Sequence, residues 1–174
     1  QYRFSWNGIP SAETEVEVSV ENEDTKPYYC FRGNARTSKF ADIFWKLRAS
    51  VVALVDGFTG RTVQIKVNDQ QNRKLKQTET VFDYDKSEAH YTRWKKGKVK
   101  EKIIHLPEGT VDPVSLCLLL NQQEFKVGET AKLYLLVGDD PYEVEYTVAE
   151  RERIAVAGIE VSALRIEPTF RKVA

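Results

Sequence analysis

The stretch that decides the fold is Ala-Glu-Thr-Glu-Val-Glu-Val-Ser-Val, residues 12–20. In an extended chain, successive side chains point to opposite faces, so Val16, Val18 and Val20 share one face and the glutamates share the other. This two-residue period is typical of a β-strand that is buried on one face and solvated on the other. The same period returns in most later segments, between short turn signals. The predicted strands lie near residues 2–6, 12–21, 27–35, 47–56, 61–67, 74–84, 88–95, 98–106, 130–138, 141–151 and 159–167.

Two segments are predicted to be helical, and only the first clearly breaks this alternation. The first, residues 112–120, starts with Asp-Pro and continues almost entirely with apolar residues. Asp112 can cap a helix with its carboxylate, and Pro113 suits the first helical position, so a short α-helix is predicted. Its apolar composition predicts that it is buried on nearly all sides. The second segment, residues 38–45, has apolar residues at helical spacing and predicts a further helical turn.

An all-β, mainly antiparallel fold follows from these patterns. A meander of about eleven twisted strands tends to curl, so we expect a curved sheet that closes into a barrel or half-barrel around the one short apolar helix. The sequence has no internal repeat and no linker, and its 174 residues suit one core. Residues 1–174 are therefore expected to form a single domain.

Composition excludes some classes of partner. Lys+Arg and Asp+Glu both number 26, which gives a formal net charge of +0. Nucleic-acid-binding domains usually carry a basic excess, so no nucleic-acid partner is expected. No apolar run approaches the roughly 20 residues that span a bilayer, so the chain is predicted not to be transmembrane. It begins at Gln1 in strand-like sequence and contains no Met, from which we expect that the natural start, with its signal sequence, has been removed.

The two cysteines, Cys30 and Cys117, permit one disulfide without requiring it. If the helix packs on the concave side of the sheet, the two thiols point to different parts of the fold, whereas a bridge needs Cα atoms within about 7 Å. Two free thiols are favoured, with Cys117 packed as a small apolar residue. The sequence leaves their pairing open.

Candidate catalytic and metal-binding residues are few. His90 and His105 lie in adjacent predicted strands, but a zinc site usually has three or four ligands, and no further Cys or His stands at a suitable spacing. Ser115 lies outside any nucleophile-elbow motif, and the acids near Asp139 lack the calcium-loop pattern. We therefore assign no catalytic, metal or cofactor-binding residue and expect no cofactor. An enzyme is the least favoured class, because no nucleophile, base and orienting group can be named together.

The strongest charge feature is Arg-Trp-Lys-Lys-Gly-Lys-Val-Lys-Glu-Lys, residues 93–102. It is predicted to form a hairpin that turns at Gly97 and carries six cations against one acid. Trp94 adds a ring that can lie against a phosphorylated or aromatic ligand. The alternative is that the lysines only protect an edge strand from pairing with other chains. The residues of this candidate anion patch are Arg93, Lys95, Lys96, Lys98, Lys100 and Lys102.

Aromatic and aliphatic side chains at inward-facing positions make a second candidate site. A curved sheet and an apolar helix can enclose a cavity lined by such residues. The same residues also suit a filled core, which is favoured because an empty apolar cavity costs stability. The candidate cavity residues are Trp6, Phe31, Phe44, Phe82, Cys117, Leu120 and Tyr146.

Five segments together resemble a known family. They are Tyr-Arg-Phe-Ser-Trp-Asn-Gly-Ile-Pro-Ser-Ala (2–12), Val-Phe-Asp (81–83), Asp-Pro-Val-Ser (112–115), Ala-Gly-Ile (157–159) and Leu-Arg-Ile-Glu-Pro (164–168). In their order and separation, over nearly the whole chain, they are similar to the landmarks of the bacterial domain-of-unknown-function family 3108. The resemblance implies an exported, periplasmic β protein from a Gram-negative-type bacterium and implies no known activity. Members often continue the Asp-Pro helix with aromatic residues and an Arg, where this chain has Cys-Leu-Leu-Leu-Asn (117–121), so a cavity beside this helix would be more apolar and lack that positive group.

Two functional hypotheses from different classes remain. The first is a periplasmic binding module whose cavity holds a hydrophobic or amphipathic ligand, such as a lipid. The second is an envelope interaction protein with no ligand cavity, which binds anionic envelope components through the basic hairpin around Gly97. An internal cavity would favour the first hypothesis. A packed interior with an exposed apolar or basic patch would favour the second.

Overall fold

The structure is a computed structural model that describes residues 1–23 and 26–173. It is about 69% strand with one short α-helix in the described part, which confirms the mainly antiparallel β prediction. The chain divides into two compact units, Gln1–Leu106 (unit 1) and Pro107–Ala174 (unit 2). Folding of the whole chain as a single domain stays a prediction.

Unit 1 is an eight-stranded sheet in which each strand pairs with the next one along the chain. Every one of these pairs is antiparallel. Within residues 1–23 and 26–106 the sheet stays open, with the first strand at one edge and the eighth at the other. The strands are β1 (Tyr2–Trp6), β2 (Ile9–Glu23), β3 (Lys26–Thr37), β4 (Leu47–Asp56), β5 (Thr62–Gln71), β6 (Lys74–Asp83), β7 (Glu88–Lys95) and β8 (Lys98–His105).

One face of the unit 1 sheet carries the buried apolar residues. The register places Val20, Tyr29 and Val55 opposite one another on β2, β3 and β4, so they share this face. Burial increases across the row, because Val20 is 59% exposed and Val55 is 0% exposed. The core of unit 1 therefore lies toward the later strands. The apolar residues buried on this face are Ala53, Val55, Phe82, Ala89, Tyr91 and Ile104.

The opposite face of the same sheet is polar and carries cross-strand pairs of opposite charge. Arg32 and Glu21 are 2.5 Å apart, and Lys66 and Glu79 are 3.5 Å apart. Such exposed pairs add little stability each.

Unit 2 contains a four-stranded sheet in the order β12-β11-β10-β9, in which only β9 and β10 run parallel among the described strands. β11 and β12 each extend five residues past the C-terminal bounds of the predicted segments 141–151 and 159–167, because the added stretches, 152–156 and 168–172, lack apolar alternation. Cross-strand ion pairs join these added stretches to the partner strands, such as Arg153 Nη1 with Glu160 Oε2 at 3.5 Å and Lys172 Nζ with Asp140 Oδ1 at 2.6 Å. The elements are β9 (Thr110–Val111), α1 (Pro113–Gln122), β10 (Thr130–Val137), β11 (Asp140–Val156) and β12 (Ile159–Lys172).

Helix α1 begins as predicted but is buried less than predicted. The Asp112 carboxylate accepts hydrogen bonds from the backbone N–H groups of Val114 (2.8 Å) and Ser115 (3.3 Å), as an N-cap should. The expectation that the helix is buried on nearly all sides is wrong: Ser115 is its one buried residue, and Cys117 is exposed. An all-apolar stretch has no stripe that marks its inner face, so composition did not show which side is covered. Within the described residues, no helix is long and apolar enough to cross a membrane.

The second predicted helical segment is shorter than expected. Of residues 38–45, only Ala41–Ile43 form a helical turn, of the 3₁₀ type. The rest of the segment is a loop between β3 and β4.

Substitution of Val55 by Ala should lower the free energy of unfolding by about 2 kcal/mol, because two buried methyl groups are lost and a cavity remains. The matched control is Val20→Ala, in the same cross-strand row but exposed, which should change stability by less than about 0.5 kcal/mol. Urea unfolding of both variants measures the difference. Equal losses at the two positions would contradict the assignment of the core to the later strands.

Candidate functional site

The seven predicted cavity residues are divided between the two units. In unit 1, Phe82 is buried and Phe31 is half-buried, whereas Trp6 and Phe44 are 75% and 76% exposed. Trp6 ends the first edge strand, and Phe44 follows the 3₁₀ turn outside any strand, so neither lies in the core. In unit 2, Tyr146 of β11 is buried.

Of the two remaining cavity residues, Leu120 is half-buried in α1 and Cys117 is exposed. A single cavity lined by all seven residues stays a prediction.

Unit 2 contains a groove of about 680 Å³ between the end of α1 and the strands β11 and β12. Its volume falls in the range typical of small-molecule sites. Leu120 was the only one of its wall residues predicted from the sequence. Phe125, which lines the groove, packs edge to face against Tyr146, with ring centroids 6.1 Å apart. The groove is lined by Leu120, Asn121, Gln123, Glu124, Phe125, Arg151, Ser162, Leu164 and Ile166.

The unit 2 groove combines apolar side chains with polar ones, among them one cation, Arg151, and one acid, Glu124. Arg151 of β11 donates a hydrogen bond from Nη1 to Ser162 Oγ at 3.3 Å, which holds the guanidinium on the groove wall. The sequence of α1 predicted a site without a positive group, but β11 supplies one. Arg151 lies in a run of alternating charges (150–153), and that run gave no signal of a binding site.

Both cysteines are free thiols, as the sequence favoured. Cys30 lies on the more polar parity of β3 and is buried, and this burial raises the pKa of its thiol. Cys117 was expected to be packed and is exposed.

The remaining candidate chemistry is weak in the structure as well. His90 pairs with Ile103, and His105 pairs with Glu88, so the two histidines are not directly opposite. Asp140 contacts Lys172 at 2.6 Å, which accounts for one acid of the former calcium candidate. Among the described residues, no group of three His, Cys, Asp or Glu side chains could hold a metal ion.

The β7–β8 hairpin forms as predicted, and its register arranges the cations on one face. Arg93 lies opposite Lys100, and Lys95 lies opposite Lys98. Lys95 also pairs with Lys76 of β6, which the sequence did not suggest as part of the patch. Residues directly opposite in an antiparallel pair point to the same face. We call this set the basic strip; it consists of Lys76, Arg93, Lys95, Lys98, Lys100 and Lys102.

Two members of the predicted patch region lie apart from the basic strip. Lys96 occupies the turn itself, with a positive φ of 51°. Trp94 alternates with Arg93 and Lys95 and pairs with Gln77 and Val99, so it points to the opposite face. There it lines a polar groove of about 430 Å³. The expectation that Trp94 acts together with the cations is therefore wrong, because side chains alternate along a strand.

The loop between β3 and β4, residues 38–46, exposes a cluster of apolar side chains that the sequence analysis did not identify as a candidate site. We call it the aromatic loop. Its one acid, Asp42, is turned back onto the sheet, where Arg48 Nη2 is 2.5 Å from Oδ2 and the Thr37 hydroxyl donates to Oδ1 at 2.5 Å. The hydrogen bond from Arg48, which has the larger effect, and the one from Thr37 lower the pKa of Asp42 from the usual 3.8 to about 2.

Substitution of Asp42 by Asn should reduce stability at neutral pH. Because the folded-state pKa is depressed, the stabilisation by Asp42 is present above about pH 4 and is lost as the pH falls toward 2. The difference in unfolding free energy between wild type and variant should therefore shrink over that interval. Urea unfolding at several pH values measures it, with Asp85→Asn at a distant turn as the control. A difference that stays constant from pH 5 to pH 2 would contradict the assigned role of Asp42.

Comparison with known proteins gives one match. No curated protein and no solved structure matches the chain. Residues 1–173 match the family described as "Protein of unknown function (DUF3108)", which confirms the resemblance noted in the sequence. Because the match covers essentially the whole chain, the protein belongs to this family.

Proposed function

We propose that this protein is an envelope interaction protein that binds anionic, phosphate-bearing components of the cell envelope through the basic strip. The observation that carries the proposal is the register of β6, β7 and β8, which places like charges opposite one another. Export to the periplasm, which the resemblance of the sequence implies, is part of this proposal.

Like charges directly opposite in a sheet are destabilising. Lys95 with Lys98 and Lys95 with Lys76 are two such pairs, so the fold carries a cost at Lys95. An anionic partner that binds across the strip would offset that cost. The arrangement is therefore easier to explain by binding than by stability.

Protection of a sheet edge does not account for the whole strip. β8 is the last strand of the sheet, and lysines on an edge strand discourage pairing with other chains. Lys76 and Arg93, however, lie on β6 and β7, which have strands on both sides. The nearest acid in the register is Asp69, opposite Lys76, and Glu101 alternates onto the other face. Local positive charge thus exists although the chain has a net charge of +0.

The double variant Lys98→Glu/Lys100→Glu should bind a soluble phosphorylated saccharide at least about tenfold more weakly than wild type, which corresponds to about 1.4 kcal/mol. The probe is deacylated lipopolysaccharide, measured by calorimetry at several salt concentrations. Binding by wild type should weaken as salt increases. The control is Lys86→Glu/Lys126→Glu, which changes net charge equally at sites outside the strip. No salt-sensitive binding by wild type, or equal losses in the two double variants, would refute the proposal.

A second candidate function, binding of an amphipathic ligand, is favoured by the unit 2 groove. Leu120, Phe125, Leu164 and Ile166 offer apolar contacts, and Arg151 offers a partner for an anionic head group. Binding of a hydrophobic or amphipathic molecule, as in a lipid carrier, is the proposal here. A barrel or half-barrel closed around the helix stays part of this second proposal.

A fatty-acid probe with a dansyl group should bind wild type saturably, and Leu164→Trp should reduce this binding by filling the groove. Overpacking of this kind costs about 1 to 3 kcal/mol, so the fold should survive. Cys117→Trp is the control, because Cys117 does not line the groove. Fluorescence titration measures both variants. Saturable binding that Leu164→Trp leaves unchanged would exclude the groove as the site.

A further inference from the structure

The sequential antiparallel order of unit 1 brings alternate turns to the same end of the sheet. The turns at 7–8, 72–73 and 96–97 share one end with the aromatic loop, whereas the turns at 57–60 and 84–87 lie at the other end. The tip of the basic hairpin and the aromatic loop therefore lie at the same end of the sheet. Adjacent strands are about 4.8 Å apart, so roughly 19 Å along the sheet separates the two.

The aromatic loop exposes an unusual amount of apolar surface. Ile43 and Phe44 are 75% and 76% exposed, and Phe40 and Trp45 are exposed beside them. Phe40 and Phe44 pack edge to face, with ring centroids 5.7 Å apart. A contiguous exposed apolar cluster on one loop is typical of an interaction site.

The aromatic loop is anchored at both ends. Its first residue, Ser38, donates from its backbone N–H to the carbonyl of Ser11 at 2.9 Å. Its last residue, Lys46, donates from its N–H to Asn72 Oδ1 at 2.9 Å, and the Asn72 N–H donates to the Lys46 carbonyl at 2.8 Å. With Asp42 held by Arg48, the loop is fixed with its apolar residues outward. The loop therefore loses little conformational entropy when it binds a partner.

Cations surround the apolar cluster at this end of the sheet. Lys39 and Lys46 flank the loop, and Arg73 and Lys74 follow Asn72 in the adjoining turn. The loop's acid is paired inward, so the outward surface is apolar and positive. The opposite end has a different character: its 84–87 turn contains Asp85 and is flanked by Asp83 and Glu88, and the one lysine of the turn, Lys86, is paired with Asp83 at 2.6 Å. The exposed cations of the first end are Lys39, Lys46, Arg73, Lys74, Lys95, Lys96 and Lys98.

We propose that this end of unit 1 attaches the protein to the surface of an anionic lipid bilayer. Tryptophan and phenylalanine side chains favour the boundary between head groups and acyl chains, and nearby lysines are attracted to anionic head groups. A soluble phosphorylated saccharide would use the cations and leave the apolar cluster exposed. An anionic bilayer would contact both the cations and the apolar cluster, so it fits this surface better than a soluble saccharide does. The inference rests on the proposed function, since the hairpin tip supplies part of the charge.

The test is co-sedimentation with vesicles of phosphatidylcholine that contain about 30% phosphatidylglycerol, compared with phosphatidylcholine alone. Wild type should bind the anionic vesicles at least about tenfold more tightly. Ile43→Ser/Phe44→Ser should reduce that binding at least about tenfold, because two inserted side chains are lost. The control is Phe58→Ser, which changes an equally exposed residue (73%) at the other end of β4. β4 has 10 residues, so Phe58 is roughly 33 Å away.

A second readout reports insertion directly. In a Trp6→Phe/Trp94→Phe background, Trp45 is the remaining tryptophan of the chain. Its emission should shift to shorter wavelength on addition of anionic vesicles. An unshifted spectrum, or equal vesicle binding by the loop variant and wild type, would overturn the inference.

The two proposals can fail separately. If wild type binds deacylated lipopolysaccharide in a salt-sensitive way but does not bind vesicles, the bilayer inference is wrong and the basic strip stands. If vesicle binding depends on the aromatic loop but not on Lys98 and Lys100, the attachment stands and the role of the strip is wrong. The loop variant must keep the unfolding midpoint of the Phe58→Ser control, and Phe44→Leu, which retains an apolar side chain, should restore most of the vesicle binding.

Discussion

Sequential antiparallel pairing is the constraint on which the rest of unit 1 depends. Because each strand pairs with the next, residues opposite one another share a face, and alternate turns share an end. The first consequence gathers the basic strip from three strands. The second places the aromatic loop, the Arg73 turn and the Gly97 turn at one end. A sheet with crossover connections would have distributed the same residues differently.

Electrostatic balance differs between the two faces of this sheet. On the polar face, Arg32 meets Glu21 and Lys66 meets Glu79, so these cations lie beside acids. On the other face, the basic strip sets cation against cation. A net charge of +0 for the whole chain conceals this separation, because the excess acids lie elsewhere. Overall composition thus excludes a generic polyanion binder without excluding a local anion site.

The candidate sites show where sequence reasoning lost information. Alternation correctly placed Phe82 on the inward-facing side of its strand. Alternation does not show, however, how much of that side other residues bury. Trp6 lies at an edge and Phe44 lies beyond the strands, so both are exposed despite their apolar character. In the same way Arg151 lies in a predicted strand, but only the pairing of β11 with β12 and the position of the end of α1 bring it to the wall of the unit 2 groove.

The sequence by itself determined the strand segments, the capped helix at Asp112, the basic hairpin and the family, because period-two alternation, turn residues and local order are properties of short stretches. Only the tertiary structure decided that Lys76 joins the basic strip, that Trp94 leaves it, and that the aromatic loop shares an end with the hairpin tip. The physical reason is that register, edge position and burial arise from pairing between residues distant in the chain, and no local pattern records which of those pairings forms.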